Sequence, residues 1–186
     1  MTAFITFLLS NFTLTFLVAG LIVSIITLVF GRDHDISTIV GVLLRNFIFW
    51  AIGVSFLYNF VMHVFFADMA AQFIGWRNSP FQYEVGYASL GFSAVAIAAH
   101  RSTYEFRIAA ILGPSLFMWG AAIGHIYQII AFHNNAPGNA GIMLWTDILV
   151  PVIGFTLLSL SRRHSRAERR GGALKRSQSK GSGLAH

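Results

Sequence analysis

Residues Ala3–Asp35 read AFITFLLSNFTLTFLVAGLIVSIITLVFGRDHD, and this stretch decides the class of fold. No charged residue occurs in it before Arg32, so the apolar run from Ala3 to Phe30 exceeds the roughly 20 residues that a helix needs to cross a bilayer. A cleavable signal peptide is not expected, because no positive charge precedes the run and its apolar part is too long. We interpret the run as a membrane-spanning helix.

The composition of the whole chain supports an all-α integral membrane protein whose first partner is the lipid bilayer. Of the 186 residues, 55% are hydrophobic and only 11% are charged, with a mean hydropathy of +0.65. A soluble domain carries about 25% charged residues. The chain has no cysteine, which excludes disulfides, thiol redox chemistry, iron–sulfur ligation and cysteine-bound zinc.

Five apolar runs separated by polar or breaking segments predict a bundle of five transmembrane helices. An odd number of spans places the two termini on opposite sides. Lys and Arg favour cytoplasmic loops, so we predict an N-out, C-in orientation that leaves only Arg77 outside. The predicted spans are Ala3–Phe30, Thr38–Phe66, Gln82–Ala99, Phe106–Phe132 and Ile142–Leu160.

The positive charge is concentrated after the last span, in a segment that we predict to be a separate region. Eight of the thirteen Lys and Arg residues fall between Arg162 and Lys180. We divide the chain into a transmembrane domain, residues 1–161, and a disordered basic cytoplasmic tail, residues 162–186. Because the tail directly follows a membrane span, we expect it to contact anionic lipid headgroups and not nucleic acid.

Polar side chains recur at a similar depth in the outer third of four predicted helices. Ionisable residues inside spans are costly and usually face the bundle interior or a cavity. We therefore predict a ligand-binding set drawn from three helices: Gln82, Glu84, His125, Gln128 and Asp147. We also predict a metal-binding set of two histidines and two carboxylates, ligand types that suit a divalent ion: His63, Glu84, His125 and Asp147.

These residue types leave several functions open. The outer site could bind a cation or small molecule, serve a membrane-embedded metal-dependent enzyme, or carry protons in a transporter subunit. A hydrogen-bonded network that fixes helix register, without a metal, is the structural alternative. Transport by five spans without an internal repeat is unusual, although a homo-oligomer could supply a path. Nearby carboxylates argue against haem held by His63 and His125.

Two strings are similar to a known family: GWRNSPFQYEVGYASLG, residues 75–91, and GHIYQIIAFHNNAPGNAGIMLWTDILVP, residues 124–151. They resemble a family of small prokaryotic multi-pass membrane proteins of unknown function. The resemblance implies the same fold class and supports the choice of site residues, but it brings no activity. Separately, we expect the protein to lie in the cell (inner) membrane. The matching positions include Glu84, His125, Asp147 and the Gly-Asn-Ala-Gly segment, residues 138–141.

Overall fold

The computed structural model describes the backbone of residues 1–182 and the side chains of residues 1–163. The chain is 85% helical, without a strand in this described part. The helices are α1 (Thr2–Ser10), α2 (Phe12–Val29), α3 (Ile36–Asn46), a π-helical segment (Phe47–Val54), α4 (Ser55–Phe65), α5 (Ala67–Ile74), α6 (Phe81–Ala99), α7 (Tyr104–Phe132), α8 (Pro137–Ala140) and α9 (Ile142–Ser182).

The first apolar run is interrupted at Asn11, where we had predicted one uninterrupted helix. The Asn11 side chain donates a hydrogen bond to the Phe7 carbonyl, 2.9 Å away, which the Asn11 amide also contacts at 3.0 Å. Asparagine side chains compete in this way with the helical backbone pattern. The run therefore forms two helices, α1 and α2, with Asn11 in a non-helical conformation between them.

The second predicted span is a continuous helical rod from Ile36 to Phe65, composed of α3, the π-helical segment and α4. Helix α6 packs along α4 and the π-helical segment through small residues, which allow two helices to approach closely. Ser93 on α6 donates a hydrogen bond to the Gly53 carbonyl in the π-helical segment, 2.7 Å away. This hydrogen bond from α6 stabilises the π-helical segment.

Four helical segments within the described residues are long and apolar enough to cross a membrane. They correspond to the first, second, fourth and fifth predicted spans. The third predicted span, α6, is a helix of 19 residues, but it is not among the four. Its apolar character is diluted by Gln82, Glu84 and two serines.

The core lies where α3, the π-helical segment, α7 and α9 meet. Its centre is formed by aliphatic side chains that are essentially inaccessible: Leu44, Ile48, Ile52, Ile111 and Val150. Gly154 on α9 lets Phe47 and Ile111 approach its backbone, since an added Cβ would lie 3.0 to 3.1 Å from them. The core therefore fixes α7 against α9, the two helices that carry the polar site.

Helix α9 continues through residue 162, where we predicted the basic tail to begin, and its backbone is helical as far as Ser182. The side chains of the tail beyond Arg163 lie outside the described residues. The division of the chain at residue 161 and the contact of the tail with lipid headgroups stay predictions.

Candidate functional site

A short segment between α7 and α9 folds back onto the bundle and covers its polar end. His133 ends α7 with a left-handed backbone conformation, φ 52°, and Pro137 begins the four-residue helix α8. Asn134 fastens the segment, because its side chain donates to the Ile74 carbonyl at 3.0 Å and accepts from the Ala136 amide at 3.0 Å. Helix α8 is thereby held against α5, α7 and α9.

Asn139 on α8 is fully buried and makes three hydrogen bonds. Its side-chain NH₂ group donates to two backbone carbonyls, those of His125 at 3.2 Å and Asn134 at 2.9 Å. Its Oδ1 lies 2.8 Å from His125 Nδ1. Both amide donors are therefore used, and the side chain presents only its acceptor oxygen to the histidine ring.

This arrangement fixes the proton on His125. A carbonyl oxygen can only accept a hydrogen bond, so His125 Nδ1 must carry a hydrogen and donate it to Asn139. The other ring nitrogen, Nε2, is then the free position of the neutral imidazole. It lies 3.7 Å from Oδ2 of Asp147 on α9.

His125 and Asp147 are 6% and 7% exposed, so this contact is shielded from solvent on nearly all sides. Within the described part of the chain, His125 is the one basic group within ion-pair distance of Asp147. No described side chain donates a hydrogen bond to this carboxylate. A neutral imidazole Nε2 and an ionised carboxylate are both acceptors, and they attract each other only through a shared proton or another cation.

Trp76 covers the other side of the His125 ring. The two ring centroids are 5.6 Å apart, with planes tilted by 39°. Gly75 ends α5 at φ +76°, a left-handed conformation that glycine adopts without strain, and the Trp76 amide then donates to the Ala71 carbonyl at 2.9 Å. The indole is 39% exposed and separates His125 from the surface at this point.

The predicted site residues divide into two pairs and two single residues. His125 and Asp147 form the first pair. His63 Nδ1 and the Gln82 side-chain oxygen form a second hydrogen-bonded pair between α4 and α6. Two turns further along α6, Ser89 accepts a hydrogen bond from Asn59, 2.9 Å away.

Glu84 and Gln128 do not join either pair. Glu84 is exposed on the other side of α6 from Gln82, and among the described residues its carboxylate has no hydrogen-bond or ion-pair partner. The Gln128 side chain is half-buried and makes no hydrogen bond to a described residue, although its backbone carbonyl accepts from the Asn134 amide at 3.2 Å. No three His, Asp or Glu residues of the described chain are grouped closely enough to hold a metal ion. The four-residue metal set is thus not brought together.

Sequence reasoning missed Asn139 and Asn134, which complete the site. Both lie in the segment HNNAPGNAG, which we interpreted only as a break between spans. Nothing in the local pattern distinguishes the buried Asn139 from the exposed Asn135. The one available signal was the inclusion of residues 138–141 in the family resemblance.

The chain belongs to a family of unknown function, DUF6790, whose model matches residues 10–167. The predicted membership of a family without an assigned function is therefore confirmed. No curated protein and no solved structure matches the chain. Function must be inferred from the geometry of this molecule.

Proposed function

We propose that the chain is a multi-pass protein of the cell membrane that crosses the bilayer five times. Four helices are long and apolar enough to cross a membrane. Helix α6 turns three of its polar groups, Gln82, Ser89 and Ser93, toward α4 and the π-helical segment, where they form hydrogen bonds. Polar groups satisfied by neighbouring helices are tolerated inside a membrane, which supports α6 as a fifth span.

The distribution of positive charge supports an N-out, C-in orientation. With this orientation the cytoplasmic ends carry Arg32, Arg101 and Arg107 together with the basic tail, while Arg77 alone lies outside. Cytoplasmic loops are enriched in Lys and Arg. The His125 site then lies in the outer third of the bundle, beneath α8.

The function that we propose for this site is the binding of a single proton by His125 and Asp147, which form an ion pair when Nε2 carries the proton and the carboxylate is ionised. The observation that carries it is the buried 3.7 Å separation of Nε2 and Oδ2, with Nδ1 already committed to Asn139. Two ligands are too few for a divalent metal ion, since zinc takes four and calcium six or more. A proton needs only these two acceptors.

A proton-linked transporter subunit is the second candidate function. It is favoured by the position of the pair, because His125 lies on α7 and Asp147 lies on α9. A relative movement of these helices would separate the two acceptors and release the shared proton. Intramembrane His and carboxylate groups commonly mark proton pathways.

Proton binding can be tested by nitrogen NMR of histidine in the full chain purified in detergent. In the wild type, we expect His125 to keep a proton on Nδ1 and to titrate together with Asp147. Asp147→Asn removes the negative charge and the titrating carboxyl but preserves shape, so the titration of His125 Nε2 should shift. Glu84→Gln is the matched control and should leave His125 unchanged, because Glu84 has no contact with it.

Identical His125 titration in the wild type and in Asp147→Asn would contradict the shared proton. Transport is tested separately in proteoliposomes subjected to a pH jump. Proton flux in the wild type and in Glu84→Gln, but not in Asp147→Asn, would support the transporter. Absence of flux from the wild type would remove that second function.

A further inference from the structure

A second cluster of ionisable groups lies where α6 ends and α7 begins, beside the last turn of α3. His100 is its centre. Its Nδ1 donates to the Arg45 carbonyl, 3.1 Å away, and its own carbonyl accepts from Nη2 of Arg107 at 3.3 Å. The Phe49 ring packs on the imidazole, with centroids 5.1 Å apart. Two arginines from different helices are thus joined to one histidine.

The positive charges of this cluster are not matched by negative ones. Neither Arg45 nor Arg107 has a carboxylate within 4.0 Å, because the one ion pair among the described residues is that of His125 and Asp147. Both arginines meet at His100, Arg45 through its backbone carbonyl and Arg107 through its guanidinium group. Partly buried positive charges without a negative partner are unfavourable unless an anion binds beside them.

Hydrogen bonding leads to the same conclusion. The Nε atoms of Arg45 and Arg107 are both inaccessible, and neither has a hydrogen-bond partner in the described chain. Beyond this, the Arg45 guanidinium makes no hydrogen bond to any described residue. Buried polar groups of proteins are nearly always satisfied, so unpaired buried donors on two arginines that contact the same histidine indicate an absent acceptor.

We propose that Arg45 and Arg107 form a binding site for a phosphate group. The planar guanidinium fork matches the oxygen geometry of a phosphate and can donate two hydrogen bonds to it. A phosphate would also supply the negative charge that this cluster lacks. The phosphate belongs to the headgroup of an anionic phospholipid or to a free phosphate compound, because both present the same oxygens.

The two sources can be separated by thermal unfolding of the full chain in a neutral detergent. Short-chain phosphatidylglycerol and inorganic phosphate are titrated separately at constant ionic strength. We expect a saturable rise of the melting temperature with at least one of them. Arg45→Gln and Arg107→Gln should each weaken the apparent affinity about tenfold or more, as expected for a charge-assisted hydrogen bond.

Arg101→Gln is the matched control, since Arg101 is exposed beside the same cluster. Arg101→Gln should leave the apparent affinity unchanged. If it lowers the affinity as much as Arg45→Gln and Arg107→Gln do, binding is due to general charge attraction and the proposed site is wrong. A rise with phosphatidylglycerol alone assigns the headgroup, and a rise with both assigns the phosphate group itself. No saturable rise in the wild type overturns the proposal.

Two lysine variants keep the proposal testable if the glutamine variants fail to fold. Arg45→Lys and Arg107→Lys keep the charge and lose the fork. A folded lysine variant with weakened binding supports recognition of phosphate by the guanidinium groups. Unchanged affinity in both lysine variants contradicts it.

Discussion

At the scale of single residues, Asn139 has the largest effect on the chemistry of the site. Its two donors are occupied by the carbonyls of His125 and Asn134, so its oxygen must face His125 Nδ1. One buried amide thereby selects the tautomer of the histidine and leaves Nε2 facing Asp147. The proposed proton-binding pair thus depends on a residue that does not itself titrate.

Asn139→Ala should destabilise the protein by about 1–3 kcal/mol, because it leaves the buried His125 Nδ1 without its acceptor and removes two hydrogen bonds to backbone carbonyls. The midpoint of thermal unfolding in detergent measures this change. Asn135→Ala is the control, since Asn135 is exposed and bonds only to the neighbouring His133 carbonyl. An equal midpoint for the two variants would contradict the role of Asn139.

Asp35 is the residue whose protonation should alter local structure outside the spans. Its carboxylate caps α3 and accepts from the Ser37 and Thr38 amides at 3.1 and 3.4 Å. The hydrogen bond from the Thr38 side chain, with these amide bonds, holds the pKa of Asp35 below its ordinary value. A carboxylate with a lowered pKa stabilises the fold above its ordinary pKa, and this stabilisation is lost as the pH falls through the lowered value.

We therefore expect the amide NMR signals of Ser37 and Thr38 to shift as the pH falls below about 4, the ordinary range of an Asp carboxyl. Asp35→Asn keeps an accepting oxygen at every pH, so its two amide signals should not follow the same transition. Parallel shifts in the variant would show that another group causes them.

At the scale of elements, α8 shapes the site although it has only four residues. It contacts α5 so closely at Gly138 that an added Cβ would lie 2.5 Å from the Phe73 ring and 2.8 Å from the Phe73 carbonyl. Contacts under 3.0 Å require movement, and a backbone atom cannot easily move. Glycine at 138 is what allows α8 to place Asn139 against His125.

Gly138→Ala should therefore displace α8 and destabilise the protein by about 1–3 kcal/mol, in the range of overpacked cores. The nitrogen signal of His125 should shift in the same variant, because Asn139 moves with α8. Gly120→Ala is the matched control, since nothing lies within 4 Å of a Cβ there. An unchanged His125 signal in Gly138→Ala would show that α8 does not position the groups of the site.

At the scale of the whole molecule, α6 decides how many times the chain crosses the membrane. Its polar residues lower its hydropathy below that of the four clear spans, yet Gln82, Ser89 and Ser93 are hydrogen-bonded to its neighbours. Hydropathy alone therefore gives four membrane-spanning helices, whereas the hydrogen bonds of these polar groups favour five. The proposed five-span topology follows from the environment.

Single-cysteine labelling tests this topology without background, because the chain has no cysteine. A membrane-impermeant maleimide should label Ser79→Cys and Asn135→Cys in intact cells, but Ser102→Cys only after permeabilisation. Residues 79 and 102 flank α6, so they label together if α6 does not cross. Labelling of residue 102 alone in intact cells would reverse the proposed orientation.

The amino-acid sequence by itself determined the helical class, the positions of the long apolar helices and the family. Those properties follow from residue type and order, since apolar runs of sufficient length form helices in lipid. Spacing also gave the depth of His125 and Asp147, which lie near each other in the structure. Depth along a helix is fixed by residue number, so the similar depth predicted for His125 and Asp147 agrees with their proximity in the structure.

Only the tertiary structure decided which groups at that depth meet. Glu84 and Gln82 are two residues apart, yet Gln82 is buried against His63 and Glu84 is exposed. Residues two apart lie on opposite faces of any α-helix, and the packing of small residues of α6 against α4 decides that the Gln82 face turns inward. Asn139 reaches His125 through a fold-back of α8 that no local pattern encodes, because contacts between distant segments depend on the shape of the whole bundle.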